Sequence, residues 1–209
     1  EPQRAQREEK RENKQAMISP IPLLQIPSGA NVPQVVNGII EIPRGSRSKY
    51  EYVPKYNCFK LDRVLYSPMH YPTAYGFVPS TLYVDGDPLD ILVLTDEPTF
   101  TGCLIEARPI GVMRMTDSGI PDDKIITVAA RDQRYQHYAS LENMKPHERV
   151  ELEHFFSIYK TLEGKSTSID GWGDLDYAHQ VIQESMERYA KVAAGTPLSE
   201  VLATPKSHS

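Results

Sequence analysis

GIIEIPRGSRSKYEYVPKYNCFKLDRVLYSPMHYPTAYGFVPSTLYVDGDPLDILVL, residues 38–94, decides the fold class. Within it, short apolar or alternating runs are broken by Pro or Gly every few residues: GIIEIP, KYEYV, KLDRVLY, STLYV and DILVL. Each has the length of a strand, and no window is long enough for a helix. Working outward, CLIEARPIGVMRM (103–115) and KIITVAA (124–130) add at least two more strands. Many short strands set off by turn residues predict a mainly β (α+β) protein, with one closed or nearly closed barrel over about residues 36–140.

Two helices follow the strands. In HERVELEHFFSIYKTL, Leu152, Phe155, Phe156 and Tyr159 recur at helical spacing with Pro146 near the first turn, predicting a helix over 147–163. The second, over 174–193, starts at Asp174 as N-cap, stacks Ala178, Val181, Ile182, Ser185, Met186 and Tyr189, and stops at Gly195. Before the strands, residues 1–16 hold five basic and four acidic residues and almost nothing apolar, so they read as a mobile tail or a lone exposed helix. Residues 17–35 carry four prolines and read as an extended connector docked by Ile, Leu and Val. The expected division is thus a tail and connector (1–35), a catalytic domain (36–193) and a loose C-terminal end (194–209). Starting at Glu1 rather than Met, the chain reads as a processed form or part of a longer protein.

Composition narrows the function. The 209 residues are 40% hydrophobic and 24% charged, enough for a sizeable core. No apolar run approaches the roughly 18 residues of a membrane-crossing helix, which argues against an integral membrane protein. A net charge of −5 argues against a nucleic-acid binder working through bulk charge. Cys58 and Cys103 form no metal-ligand pattern and suit a reducing compartment. The six histidines show no ligand spacing.

The chemistry concentrates in YVDGDPLDILV. In an extended segment Asp85 and Asp87 point to one side, and Pro88 turns the chain so that Asp90 returns to it. Three crowded carboxylates repel unless neutralised, which a hard divalent cation such as Mg²⁺ or Mn²⁺ does. A polar turn explains the same residues, since Asp, Gly and Pro are turn formers, and the motif alone leaves both readings open. Asp117, Asp122 and Asp123 in TDSGIPDDK form a second acidic group that, alone, reads as a solvated loop. Lys49, Arg63, Tyr71, Tyr75, Lys124, Tyr159 and Lys160, taken singly, read as surface charges or packed rings. Set opposite metal-binding carboxylates they would form a site for a polyanion such as a phosphate chain.

These motifs together resemble the family I soluble inorganic pyrophosphatases. DGDPLDIL fits that family's D-x-D-P-x-D signature; GIIEIPRGSRSKYEY resembles its strand with one Glu followed by Lys-Tyr-Glu. LDRVLYSPMHYPTAYGFVPSTL resembles its Arg and Y-P-x-x-Y-G-F/Y turn, MTDSGIPDDKIITV its M-x-D…D-x-K loop, and HFFSIYKTLE its F-F-x-x-Y-K helix. The likeness runs in family order from about Val36 to Lys191, with no catalytic position replaced by an incompetent residue. It implies an OB-like five-stranded β-barrel core with two or more flanking α-helices, and hydrolysis of pyrophosphate to two orthophosphates by direct attack of a metal-activated water. Asp85, Asp90 and Asp122 would bind a first metal, Asp90 being shared with a second. Asp117 and Asp122 would hold a metal arriving with substrate, and Glu41 would help place another. Asp87 would be the general base towards water bridging the first two metals. Lys49, Arg63, Tyr75, Lys124, Tyr159 and Lys160 would grip phosphoryl oxygens, with Glu51 and Tyr71 in support. The resemblance further implies about three to four Mg²⁺ per site, Mn²⁺ or Zn²⁺ substituting and Ca²⁺ inhibiting. It implies pyrophosphate, or short polyphosphate, as substrate. It also implies a homo-oligomer (dimer, tetramer or hexamer), with neither nucleic acid nor membrane as partner. The cytoplasm is the expected compartment, or an acidic calcium and polyphosphate store for a piece of a longer precursor.

Two other readings compete. A hydrophobic strand followed by DxD resembles the haloacid-dehalogenase-like phosphatases, whose first Asp is a nucleophile. Those carry it on the first strand of a βαβ sheet, whereas here several strands precede it without a helix. A calcium-binding loop of the EF-hand kind fits poorly, because DGDPLD lacks the Gly at its sixth position and the Glu at its twelfth.

Overall fold

The computed structural model describes residues 21–203. In chain order the strands are β1 (Val36–Ile42), β2 (Ser48–Val53), β3 (Cys58–Val64), β4 (Ala74–Phe77), β5 (Asp90–Leu94), β6 (Leu104–Asp117), β7 (Ile120–Pro121) and β8 (Lys124–Ala129). Helix α1 (Pro146–Ile158), strand β9 (Thr167–Gly173), helix α2 (Leu175–Ala193) and the short α3 (Leu198–Leu202) follow. Five strands close a ring, β1–β4–β5–β8–β6 and back to β1, antiparallel throughout except for the parallel β5–β8 pair. The protein is therefore mainly β, with the OB-like five-stranded barrel and flanking helices expected from its sequence. β7 and β9 pair with the far half of the long β6, and β2–β3 form a separate ribbon.

DILVL lacks alternation because both faces of β5 are covered. Ile91 and Val93 join the core beneath α2 with Ala178, Val181 and Ile182, while Leu92 and Leu94 join the core beneath α1 with Phe155 and Phe156. Each such fully buried side chain contributes about 1.5–3 kcal/mol. Gly76 is required by close packing: a Cβ there would overlap the Ile39 carbonyl across the β1–β4 pair. Helix α2 begins as expected, with the Asp174 carboxylate accepting from the Tyr177 amide at 2.9 Å, and ends before Gly195 in a left-handed conformation (φ 99°).

Several expectations need correction. STLYV is not a strand: Leu82 and Tyr83 instead anchor a turn, the Leu82 amide donating to Ser185 of α2 at 2.9 Å. β4 and β9 went unrecognised because Pro72 and Gly76 interrupt one and two glycines the other. Helix α1 ends at Ile158, and a 3-10 turn (Thr161–Glu163) completes the stretch expected to be helical to 163. Part of the expected loose end is α3, whose Val201 is buried. In the connector Leu23, Leu24, Ile26 and Val35 are half-buried and Val32 packs on the core, and polar bonds add to this: Ser28, itself buried, donates its hydroxyl to the Pro79 carbonyl at 2.8 Å. The charged stretch 1–16, residues 17–20 and residues 204–209 lie outside the described residues. Among the described residues, no helix is long and apolar enough to cross a membrane.

Candidate active site

One cavity of about 520 Å³ opens where the ends of β1, β5 and the β6–β7 turn meet the ribbon β2–β3 and the C-terminal end of α1. It gathers Glu41, Lys49, Glu51, Tyr71, Tyr75, Asp85, Asp87, Asp90, Asp117, Asp122, Tyr159 and Lys160, twelve of the fourteen candidate residues. Arg63 and Lys124 are not on its wall.

DGDPLD is a turn and also a wall of the cavity, so the two readings of the motif are both realised. The chain is not extended there. Gly86 takes a left-handed conformation (φ 96°), the Asp87 amide donates to Asp85 Oδ1 at 3.0 Å, and the Tyr83 amide donates to the Asp87 carbonyl at 2.7 Å. Asp90 then starts β5, directly across from Lys124 in the parallel pair and Phe77 in the antiparallel one. Asp117 and Asp122 flank the tight β6–β7 hairpin and are brought to the same cavity. Asp123, between Asp122 and Lys124, turns the other way: it is buried and accepts from the Met115 amide at 3.3 Å and the Tyr177 hydroxyl at 3.4 Å.

Lys124 lies beneath the cavity, 1% exposed, its ammonium donating to Asp90 Oδ2 at 2.6 Å and Asp122 Oδ1 at 2.7 Å. Burial pulls its pKa down, but the two carboxylates outweigh that and hold it above the ordinary lysine value. Tyr75 donates its hydroxyl to the same Asp90 oxygen at 2.5 Å. Lys160 pairs with Asp117, and Lys49 with Glu51. Although burial pushes Asp117 up, the Lys160 ammonium brings it below the usual carboxylate range. Arg63 is held outside by Glu163, at 2.8 Å from Nε, and by Asp62; its Nη2 is buried without a partner among the described residues.

Glu41, Asp85 and Asp87 have no bonded lysine or arginine among the described residues. Burial pushes Glu41 up to about 8, against the 2.7 Å bond it accepts from the Tyr52 amide. Burial likewise raises Asp85 to about 7 and, with the Asp90 charge behind it, raises Asp87. Asp122 reaches about 6 because burial outweighs Lys124. Tyr71, Tyr75 and Tyr159 are lifted well above 10 by burial, so all three stay protonated as hydroxyl donors. Tyr159 also packs its ring on Phe155 at 5.2 Å, so its core and pocket readings coexist.

Hard oxygen donors crowded on one wall are the donor chemistry of Mg²⁺-type cations rather than of Zn²⁺ or copper sites. Among the described residues no group of three or more His, Cys, Asp or Glu side chains forms a ready cation cage; Lys124 occupies the place between Asp90 and Asp122, and Lys160 pairs with Asp117. The donors fit such cations in kind.

Sequence reasoning missed four participants. Glu163, which anchors Arg63, sits in a quoted motif with no signal of its role. Tyr52, Phe77 and Leu24 line the cavity, Leu24 from the connector far upstream. Nothing in their local pattern announces this.

Comparison with known proteins bears on the same residues. The inorganic pyrophosphatase family matches residues 38–190. An inorganic pyrophosphatase from Nostoc is 50% identical over 157 residues, covering 75% of this chain and 93% of its own length. One from Geobacillus stearothermophilus is 49% identical over 156 residues, covering 75% and 94%. The crystal structure of inorganic pyrophosphatase from Thermus thermophilus superposes with a TM-score of 0.80 at 42% identity, covering 81% of this chain and 99% of that one.

Proposed function

The chain belongs to the inorganic pyrophosphatase family, a family of metal-dependent hydrolases, and from that premise we propose how its cavity hydrolyses pyrophosphate to two orthophosphates. A water oxygen attacks one phosphorus, the bridging P–O bond breaks, and the water's proton passes to the protein. The observation that carries this reading is the convergence of five aspartates on one cavity with Tyr159, Lys160 and Lys49.

Asp85, Asp90 and Asp122 would hold one divalent cation, Asp90 being shared with another; Asp117 and Asp122, and Glu41, would hold the rest. About three to four Mg²⁺ ions suit a site of few carboxylates completed by water and phosphate. When bound, such cations neutralise phosphoryl charge and acidify the attacking water. Asp87 is the general base. Burial, with the Asp90 charge behind it, raises its pKa above the ordinary carboxylate value, which makes it a better proton acceptor. The DGDP turn fixes its backbone through the Tyr83 amide. Lys49, Tyr75, Tyr159 and Lys160 are donors for phosphoryl oxygens, the phenols remaining protonated throughout. Lys124 neutralises Asp90 and Asp122 from below and becomes a phosphoryl donor if cations displace it from them. Arg63, clamped by Glu163 and Asp62 and off the cavity wall, would reach a phosphoryl oxygen only if those ion pairs give way.

The test is phosphate release from pyrophosphate with Mg²⁺, Mn²⁺ or Ca²⁺. Mg²⁺ should support turnover, and Ca²⁺ should bind and inhibit, its larger radius and looser geometry misplacing the reacting groups. Mass analysis of enzyme quenched during turnover should find no phosphate on any Asp. A trapped phospho-aspartate at Asp85 would overturn direct attack by water.

A further inference from the structure

We propose that Leu24 sets the length of phosphate chain the cavity accepts, an inference that rests on the pyrophosphatase reading above. Leu24 lies outside the span matched to the family, which begins at residue 38, yet it lines the same cavity as Glu41 and Asp87.

Its place is built rather than incidental. Leu23–Gln25 form a 3-10 turn, and Ser80, in a left-handed conformation (φ 54°), fastens it. The Ser80 amide donates to the Leu24 carbonyl at 3.0 Å, and its hydroxyl donates to the Ile26 carbonyl at 2.8 Å. The Leu23 amide donates to the Tyr52 hydroxyl at 3.2 Å, tying the turn to the ribbon β2–β3. Tyr52 in turn packs on Phe77 at 6.1 Å between ring centres. Leu24, Tyr52, Pro54 and Phe77 thus give an otherwise ionic cavity one wall that is apolar apart from the Tyr52 hydroxyl.

That wall offers little to a small, highly charged diphosphate, whose oxygens would be met by the lysines and tyrosines that also line the cavity. Against a longer chain it discriminates. A third phosphoryl group reaching Leu24 would lose hydration and meet only the Tyr52 hydroxyl, already committed to Asn57 Oδ1 at 2.7 Å, and burying a poorly paired charge is costly. The wall would therefore disfavour added charge by withholding partners from it.

The experiment compares kcat/KM for pyrophosphate and tripolyphosphate, following loss of each chromatographically because tripolyphosphate cleavage releases orthophosphate and pyrophosphate. Leu24→Lys supplies the missing donor and should raise the tripolyphosphate-to-pyrophosphate ratio about tenfold, mainly through a lower KM for tripolyphosphate. Leu24→Met, similar in volume and apolar, should leave the ratio at the wild-type value. Ser80→Gly removes the fastening hydroxyl while tolerating the left-handed backbone, and should raise the ratio about threefold. If the wild type hydrolyses pyrophosphate but both Leu24→Lys and Ser80→Gly leave the ratio within about twofold of wild type, the inference falls. A wild type inert towards pyrophosphate would instead overturn the pyrophosphatase reading itself.

Discussion

The two sides of the cavity carry the same kind of residue in opposite electrostatic states. On the side formed by β5, β8 and the β6–β7 hairpin, Asp90, Asp117 and Asp122 are each bonded to a lysine that the fold itself supplies. On the turn side, Asp85, Asp87 and Glu41 form no ion pair among the described residues, and burial raises the pKa of all three. On the first side Lys160 brings Asp117 below the ordinary carboxylate range, while Lys124 only offsets part of the burial that lifts Asp122 to about 6. The second is left under-neutralised, so a cation gains most by binding there. A protein that paired every carboxylate internally would fold more stably and would have nothing left to attract metal.

The largest effect that sharpens this contrast is on rate. Asp87→Asn should slow pyrophosphate hydrolysis by about 10²–10⁴-fold with the fold intact by circular dichroism, because the amide keeps the size but cannot take a proton. Retention of more than about a tenth of the wild-type rate would remove Asp87 as the base.

The next is on stability. Lys124→Met leaves Asp90 and Asp122 without their buried partner and should cost about 3–5 kcal/mol, lowering Tm by roughly 10 °C in chelator. Glu41→Gln replaces an unpaired buried acid by a neutral isostere and should leave Tm unchanged or higher under the same conditions. Equal losses for the two variants would erase the distinction between the sides.

A smaller effect is pH dependence. Glu41, Asp85 and Asp122 have folded-state values of about 8, 7 and 6, above their ordinary 4.5, 3.8 and 3.8. Their neutral forms favour the folded state, fully below about pH 4 and progressively less as pH rises through 6 to 8. In chelator, Tm should therefore fall by about 5 °C between pH 5 and pH 8, and Mg²⁺ at pH 8 should restore it. A metal-free Tm that rises over that interval would contradict the under-neutralised side.

The barrel was legible because Pro and Gly punctuate its apolar runs, and DILVL, IITVAA and the Asp174 cap behave as their local chemistry dictates. STLYV misled because β-prone residues were recruited to pin a turn against α2, a tertiary choice that propensity cannot register. β9, with Gly171 and Gly173, exists because the long β6 offers it an edge to pair with. Within the site, residue kinds and order were readable, and twelve of fourteen candidates reach the cavity. The burial of Lys124 was not readable, since a lysine beginning an apolar strand gives no sign of which carboxylates will close over it. Glu163 and Leu24 stayed hidden for the same reason: their partners, Arg63 and Ser80, lie 100 and 56 residues away in the chain.

The cross-strand pair of Asp90 and Lys124 bears on how the chain reaches its native state. The two residues are 34 apart and meet only when the single parallel pairing, β5 with β8, is in register. A slip by one residue would set Lys124 against Ile91 or Asp90 against Ile125, stranding an ammonium or a carboxylate in an apolar layer. Misaligned closures are therefore penalised at the step where long-range contacts make folding slow. A charge pair at the floor of the cavity thus doubles as a proofreading key for assembly, and recovery of activity on refolding should coincide with barrel closure rather than precede it.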